Sequence, residues 1–392
     1  VHTNYEVEAV ICTEQHLNQL LTTVYGTFAG IGGVLEDMEE MEIDKSTDKA
    51  TSLEDVEVSS LQGMAEEAPV VRLVNSILSQ GVREGASDIH ISPEKNYVQV
   101  RFRVDGKLHE VPAPPKGMFL PIVSRLKILA NMDIAVSRIP QDGRFTVKMK
   151  NKDINIRAST IPSIHGENMV LRLLDTSNSI YSLERLGMNE KDRSNLEKMI
   201  VKPHGMILST GPTGSGKSTS LYSILKKINQ PDVHIITVED PVEYRIEKIR
   251  QVQLNRKAGM TFASGLRSIL RQDPDVIMVG EIRDFETATL AVQASLTGHM
   301  VFSTLHTNDA SGAITRFIDM GIEPFLVSST MTVSFAQRLV RKVCPNCMAN
   351  YKPSKEALKA WGINNTAKAN FVQGKGCFNC MHTGYKGRTG VY

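Results

Sequence analysis

No stretch of this 392-residue sequence reaches the length of uncharged apolar residues, about 18, that a membrane-crossing helix needs. No basic-then-apolar leader opens it either, so the expectation is a soluble, cytoplasmic chain, with a peripheral place at a membrane left open. Cysteines number five, too few to staple so long a chain with disulfides. Lysine and arginine (45) nearly balance aspartate and glutamate (43), so the broad positive field of a general nucleic-acid binder is missing. Aromatic residues make up only 6%, little for base stacking. What remains is ordinary globular material: 41% apolar and 22% charged residues exclude wholesale disorder, and the length suggests two or three domains.

Patterning divides the chain. Tyr5 to Cys12 alternates like a strand, and Leu17, Leu20, Leu21 and Val24 share a helical face. Residues 1–34 therefore read as the remnant of a preceding amino-terminal domain, and further chain is expected beyond both ends. Residues 35–64 read as a linker, because positions 36–48 carry seven acids against one lysine and almost nothing to bury. Residues 65–175 read as an α+β domain. It opens with a helix marked by Val70, Leu73, Val74, Ile77 and Leu78, and continues with a hairpin whose Val98, Val100, Phe102 and Val104 alternate with polar residues before an Asp105-Gly106 turn. A second helix near 120–132 and strands around 145–149, 154–158 and 170–174 complete it. After a joint at 176–186, the segment 187–392 changes to continuous apolar runs, 206–208, 235–238, 276–279 and 300–302, each ending in polar residues. Such runs, spaced by helix-length segments, are central strands of a parallel sheet covered on both faces. The fold class is α/β.

The first run leads into Gly211-Pro212-Thr213-Gly214-Ser215-Gly216-Lys217-Ser218-Thr219, and Leu221, Ile224 and Leu225 mark a helix after it. This is the phosphate-binding loop G-x-x-x-x-G-K-[ST]: its N–H groups wrap phosphates, Lys217 serves the β and γ oxygens, and Ser218 offers a hydroxyl to Mg²⁺. The next three runs carry Glu239 and Glu243, Glu281, and His299 with His306 at or beside their ends. ATP hydrolysis needs an acid near the metal, a base that positions water and a group that senses the γ-phosphate, and these are the candidates. Arg267 and Arg271 lie four apart on a helix that Thr261 could cap. They could act together on a phosphate or an acidic partner, or form a salt-bridged face. Arg101, Arg103 and His90 read as structural.

Four segments, GPTGSGKST at 211–219, ITVEDPVEY at 236–244, LRQDPDVIMVGEIRD at 270–284 and TGHMVFSTLHTNDA at 297–310, resemble the Walker A, Asp, Walker B and His boxes of the secretion ATPase superfamily. ASDIHISP at 86–93, RFRVDG at 101–106 and RIPQDGR at 138–144 match as well, so the resemblance covers residues 65–392. It implies a RecA-like motor domain behind a PAS-like amino-terminal domain, assembled as a homohexamer with ATP or ADP and Mg²⁺ between the domains. It further implies an inner-membrane platform protein as partner, a peripheral location at that membrane and no nucleic acid. By the same resemblance Glu243, with Glu239, would polarise water, Glu281 would sit near the metal, His306 would read the γ-phosphate, and Arg157 and Arg172 would reach the phosphates on closure.

Cys344/Cys347 and Cys377/Cys380 form two C-x-x-C pairs separated by 29 residues. Four thiolates can close a tetrahedron around a structural Zn²⁺, giving a subdomain at 340–385; a redox pair is the alternative. Because retraction motors of the superfamily typically lack this module, the resemblance points to an assembly motor of the GspE/PilB family. The sequence reading favours type IV pilus extension, in which pilin is moved indirectly, over the alternative of a type II secretion ATPase. A nucleotide-gated scaffold and a RecA-like nucleic-acid translocase stand behind both. Glu243 and Glu281 argue against the scaffold, and the balanced charge argues against the translocase.

Overall fold

The computed structural model describes residues 58–149, 152–175, 182–363 and 370–392. The chain divides into two units, one ending at Ser177 and the other beginning at Asn178. The proposed remnant at 1–34 and most of the acidic linker lie outside the described residues. The linker's last residues belong to a helix, α1 (Val58–Glu66), whose Ala65 is buried; the ordered unit starts earlier than the acid-rich composition suggests.

In the first unit, α2 (Ala68–Glu84) begins with proline in its first turn and stops at Gly85, whose left-handed φ of 72° lets its N–H close on the carbonyls of Gly81 and Val82. Strands β1 (Ala86–Pro93), β2 (Val98–Val104) and β3 (Lys107–Val111) follow. Asp105 and Gly106, both at positive φ, make the tight turn between β2 and β3. Helix α3 (Phe119–Leu129) leads to β4 (Gln141–Met149), β5 (Lys152–Ser163) and β6 (Gly166–Asp175). Together they form a six-stranded sheet of order β3-β2-β1-β6-β5-β4, its pairs antiparallel. One face buries Ile89, Ile91, Val100, Phe102, Ile156, Leu171 and their neighbours against α2 and α3. The last three strands outrun the apolar patches that mark them in the sequence, because their added ends are polar.

The second unit starts at the joint itself: Leu183 and Leu186 are buried in its core, so 182–186 is packed chain rather than linker. Helix α4 (Glu190–Ile200) is capped by Asn189, whose side chain accepts the Asp192 N–H. Strands β7 (Gly205–Thr210), β8 (Ile235–Glu239), β9 (Arg250–Gln253), β10 (Val276–Val279), β11 (Met300–Leu305) and β12 (Met331–Ala336) form a sheet of order β12-β7-β11-β10-β8-β9, its pairs parallel. Between them run α5 (Lys217–Ile228), α6 (Phe262–Ile269), α7 (Phe285–Leu296), α8 (Gly312–Asp319) and α9 (Pro324–Thr330). Alternate residues of each central strand go to opposite cores. Met206, Leu208, Ile277, Val279 and Val301 meet one helical layer, whereas Ile207, Val276, Met278, Met300 and Phe302 meet the other. That double burial is why the runs are continuously apolar. Beyond β12 lie β13 (Arg338–Val343), β14 (Met348–Asn350), α10 (Lys355–Ala360), β15 (Val372–Gly374) and β16 (Tyr385–Val391), with β13 paired to β16 and β14 to β15. Among the described residues no helix is long and apolar enough to cross a membrane.

In the first unit, Lys127 is 1% exposed and donates to Glu167 at 2.6 Å and to the Val136 carbonyl at 2.7 Å. Removing one partner of a buried pair strands the other charge. Lys127→Met is therefore expected to destabilise this unit by about 3–5 kcal/mol, measured as a lowered midpoint of its denaturant transition.

Candidate functional site

Because the strands of the six-stranded sheet of the second unit are parallel, the carboxyl ends of β7, β8, β10 and β11 share one edge of the sheet, where α/β folds hold their ligands. The phosphate-type loop 211–216 leaves β7 there and enters α5 directly. Gly211, Gly214 and Gly216 all have positive φ, 140°, 75° and 92°. A Cβ at Gly211 would lie 2.6 Å from the Gln337 carbonyl oxygen, so Gly211 is required by close backbone approach as well as by conformation, whereas Gly216, whose nearest neighbour is the Nε2 end of the Gln337 side chain at 2.7 Å, is required by conformation. Pro212, Thr213 and Ser218 are exposed, Thr219 is half-buried, and Ser215 is buried with no hydrogen-bond partner for its hydroxyl. Lys217, buried, donates to the carbonyls of Gly211 (2.7 Å) and Pro212 (3.0 Å). Burial pushes its ammonium below the usual lysine range, opposed by the charge of Glu281 and assisted by that of Arg338.

Glu281 follows β10, and His306 follows β11. Their side chains meet, His306 Nε2 lying 3.3 Å from Glu281 Oε2, with Arg283 Nε 2.7 Å from the same oxygen. Glu239 ends β8 and is 4% exposed. One of its oxygens accepts the Tyr222 hydroxyl, and the other accepts Thr237 at 2.5 Å and Gln251 Nε2 at 3.2 Å. Burial raises its carboxyl above the usual range, with these hydrogen bonds opposing. Glu243, half-buried, lies on the following loop, and its N–H donates to the Tyr222 hydroxyl at 3.2 Å.

The remaining candidates each have other surroundings within their own unit. His299 precedes β11, whose Met300 pairs with Gly205 and Leu305 with Thr210. It therefore stands at the amino edge of the sheet, about 20 Å of strand away from the loop, and its ring contacts the Ala294 carbonyl at 3.0 Å. A residue flanking a parallel strand on its entry side cannot share the exit edge, and that corrects its assignment to the nucleotide. Thr261 does cap α6, and that helix ends at Ile269, two residues before Arg271. Arg267 pairs with Glu286, while Arg271 donates to the Arg267 carbonyl and to Ser268. In the first unit, Arg157 and Arg172 are directly opposite on β5 and β6, and Arg172 Nε donates to Asp88 at 3.0 Å. Arg103 also approaches Asp88, at 3.7 Å. His90 is lowered by burial and then by Arg103.

Arg283, Arg338 and Tyr222 are the site-edge residues that sequence reasoning missed. Arg283 lies two positions from Glu281 and could have been found from that spacing; the other two come to the loop only through the fold.

The four cysteines converge. Their sulfurs all lie within 4.8 Å of one another, with Cys344–Cys377 and Cys347–Cys380 at 3.8 Å and Cys377–Cys380 at 3.7 Å. A tetrahedron of sulfurs about 2.3 Å from one ion has edges of about 3.8 Å, whereas a disulfide needs about 2.05 Å. Burial would raise the Cys380 thiol, but N–H donors from Cys377 (3.2 Å) and Gly384 (3.3 Å) bring it down to about 6. This donor set fits a structural zinc ion.

A P-loop on a parallel sheet, a Glu–His pair beside its lysine and a four-cysteine knuckle together define a class of secretion ATPases. The family model described as "Type II/IV secretion system protein" matches residues 63–392, and the chain belongs to that family. It is 52% identical over 336 residues to the type II secretion system protein E of Pseudomonas aeruginosa, covering 86% of this chain and 67% of that protein. It is 51% identical over 327 residues to the type II secretion system ATPase E of Vibrio cholerae, covering 83% and 65% respectively. The chain thus spans about two thirds of the curated relatives it matches. Among solved structures it resembles the pilus retraction motor PilT with bound ADP, with a TM-score of 0.51 and 31% identity over 69% of this chain and 79% of that one. These relatives overturn the pilus-extension reading. The boxes are shared across the superfamily and hardly discriminate, whereas identity over the whole matched length favours type II secretion.

Gly211 and Gly214 both sit at positive φ, but a Cβ at Gly214 meets nothing within 4 Å. Gly211→Ala is expected to weaken binding of a fluorescent ATP analogue by at least about tenfold, and Gly214→Ala by only a few-fold, since its backbone strain of about 1–2 kcal/mol is borne with and without nucleotide and falls mainly on folding stability. Analogue titration of the two variants checks this.

Proposed function

We propose that this chain is the ATP-hydrolysing motor of a type II secretion system. The observation that carries the reading is the convergence of Lys217, Glu281 and His306 at one sheet edge in a chain half identical to proteins of that name. The P-loop residues Gly211 to Thr219 would hold the phosphates, with the Lys217 ammonium exchanging the Gly211 and Pro212 carbonyls for phosphate oxygens and Ser218 offering its hydroxyl to Mg²⁺. Glu281 would act near the metal, and His306, touching it, would report the γ-phosphate. Glu243 would polarise the attacking water. The second unit would be the RecA-like motor and the first the PAS-like domain, whose Arg157 and Arg172 would reach the phosphates on closure. Working as a homohexamer against a platform protein, on the cytoplasmic face of the inner membrane, the motor would convert turnover into pseudopilus assembly. The cysteine cluster would hold one Zn²⁺ that stabilises the segment between the knuckles and takes no part in hydrolysis.

Lys217→Ala is expected to lose nucleotide affinity, whereas Glu281→Gln and Glu243→Gln should keep ATP bound and turn it over about 10²-fold more slowly. Steady-state ATPase and analogue-binding measurements separate the two patterns, and equal loss of binding in all three would sink the role assignment. In cells lacking the native gene, the wild-type chain in its full-length context should restore protein secretion and Lys217→Ala should not. Restoration of piliation instead would overturn the reading. Elemental analysis should find one zinc per chain, and less than about half an equivalent in protein purified without chelator would refute the metal site. Cys344→Ser should loosen the subdomain while leaving nucleotide affinity within a few-fold of wild type.

A further inference from the structure

Tyr222 lies on α5, five residues after Lys217, and is 1% exposed. Its ring packs edge-on to Tyr244, with centroids 5.8 Å apart and planes at 77°. Core packing alone would be served by phenylalanine, since a buried hydroxyl costs stability unless it is fully bonded. This hydroxyl is bonded twice: it donates to Glu239 and accepts the backbone N–H of Glu243 at 3.2 Å. Glu239 is fixed in turn by Thr237 and Gln251. Gln251 continues the network into the same loop, its Nε2 donating to the Tyr244 carbonyl at 2.8 Å and its Oε1 accepting the Ile246 N–H at 2.7 Å. The loop that carries Glu243 is thus tied at three backbone positions to a buried polar knot rooted in the P-loop helix. Glu239, nearly inaccessible and with both oxygens engaged, is an anchor of that knot.

We infer that Tyr222 is a positioning residue for hydrolysis, its hydroxyl holding the Glu243 loop to the helix that begins at the phosphate loop. The inference rests on the proposed role of Glu243 with water. A bridge of this kind acts on the reactive geometry more than on ground-state binding, because none of its members is a P-loop donor. Small misplacements of a reacting group are costly in rate.

The test is Tyr222→Phe in the full chain, with ATP turnover and analogue affinity measured alone and combined with Glu243→Gln. The expected result is a kcat lower by about tenfold, KM and analogue Kd within about twofold, and no further loss when Tyr222→Phe is added to Glu243→Gln. Unchanged kcat, a change confined to KM or Kd, or multiplicative losses in the double variant would overturn the inference. If Glu243→Gln itself turned over normally, the reading of Glu243 would fail, and a slow Tyr222→Phe in that event would count against positioning through Glu243. Should Tyr222→Phe not fold, Gln251→Met, which cuts the knot's ties to Glu239, Tyr244 and Ile246 without removing the Tyr222 hydroxyl, carries the same expected split between kcat and KM.

Discussion

The in-register parallel pairing of β7 with β11, β11 with β10, and β10 with β8 is the constraint on which the rest of the site depends. It gathers the ends of strands that are far apart in sequence onto one edge. Glu281, His306 and the Glu239–Glu243 segment stand at or just beyond the ends of their strands, and Lys217 follows β7 after a six-residue loop, so none needs long-range instruction beyond that pairing. The pairing itself is secured by burial on both faces, which adds roughly 25 cal/mol for each Å² of apolar surface removed from water.

What was legible in the sequence follows from this. Continuous apolar runs announce strands covered twice, and a glycine-rich loop between such a run and a helix announces phosphate chemistry, because few other residue types tolerate φ values of 75° to 140°. Two matched cysteine pairs were equally readable. The polar halves of β4, β5 and β6 were not, because a strand with one wet face carries no continuous apolar signal. The side of the sheet on which His299 lies was legible from chain order but passed over: it precedes the run 300–302, and a residue before a parallel strand stands at the entry edge. The knot around Tyr222 was also hidden, since its members come from α5, β8 and β9 and are joined only by packing. The choice between pilus and secretion lay outside the reach of motif reading, as the residues that hydrolyse ATP are the ones the two kinds of motor share.

The acids beside the loop are sorted by environment more than by position. Glu239 and Glu281 each end or follow a central strand, but one is sealed beneath Tyr222, Thr237 and Gln251 and the other faces His306 and Arg283 at the edge. Residues of one type at equivalent topological positions therefore divide into one sealed in the core and one held at the sheet edge by charged partners. Burial of the first raises its carboxyl and favours the neutral form, so it is poorly suited to carry charge.

The double burial of the central strands also has a mechanical meaning. Interiors packed to crystal-like density resist compression and transmit displacement, and β7, β10 and β11 have no solvent face to yield. Bending the sheet would open apolar seams on both sides at once. A displacement imposed at the carboxyl edge of the sheet would therefore be carried through it as through a stiff lever, with compliance left to the loops around it.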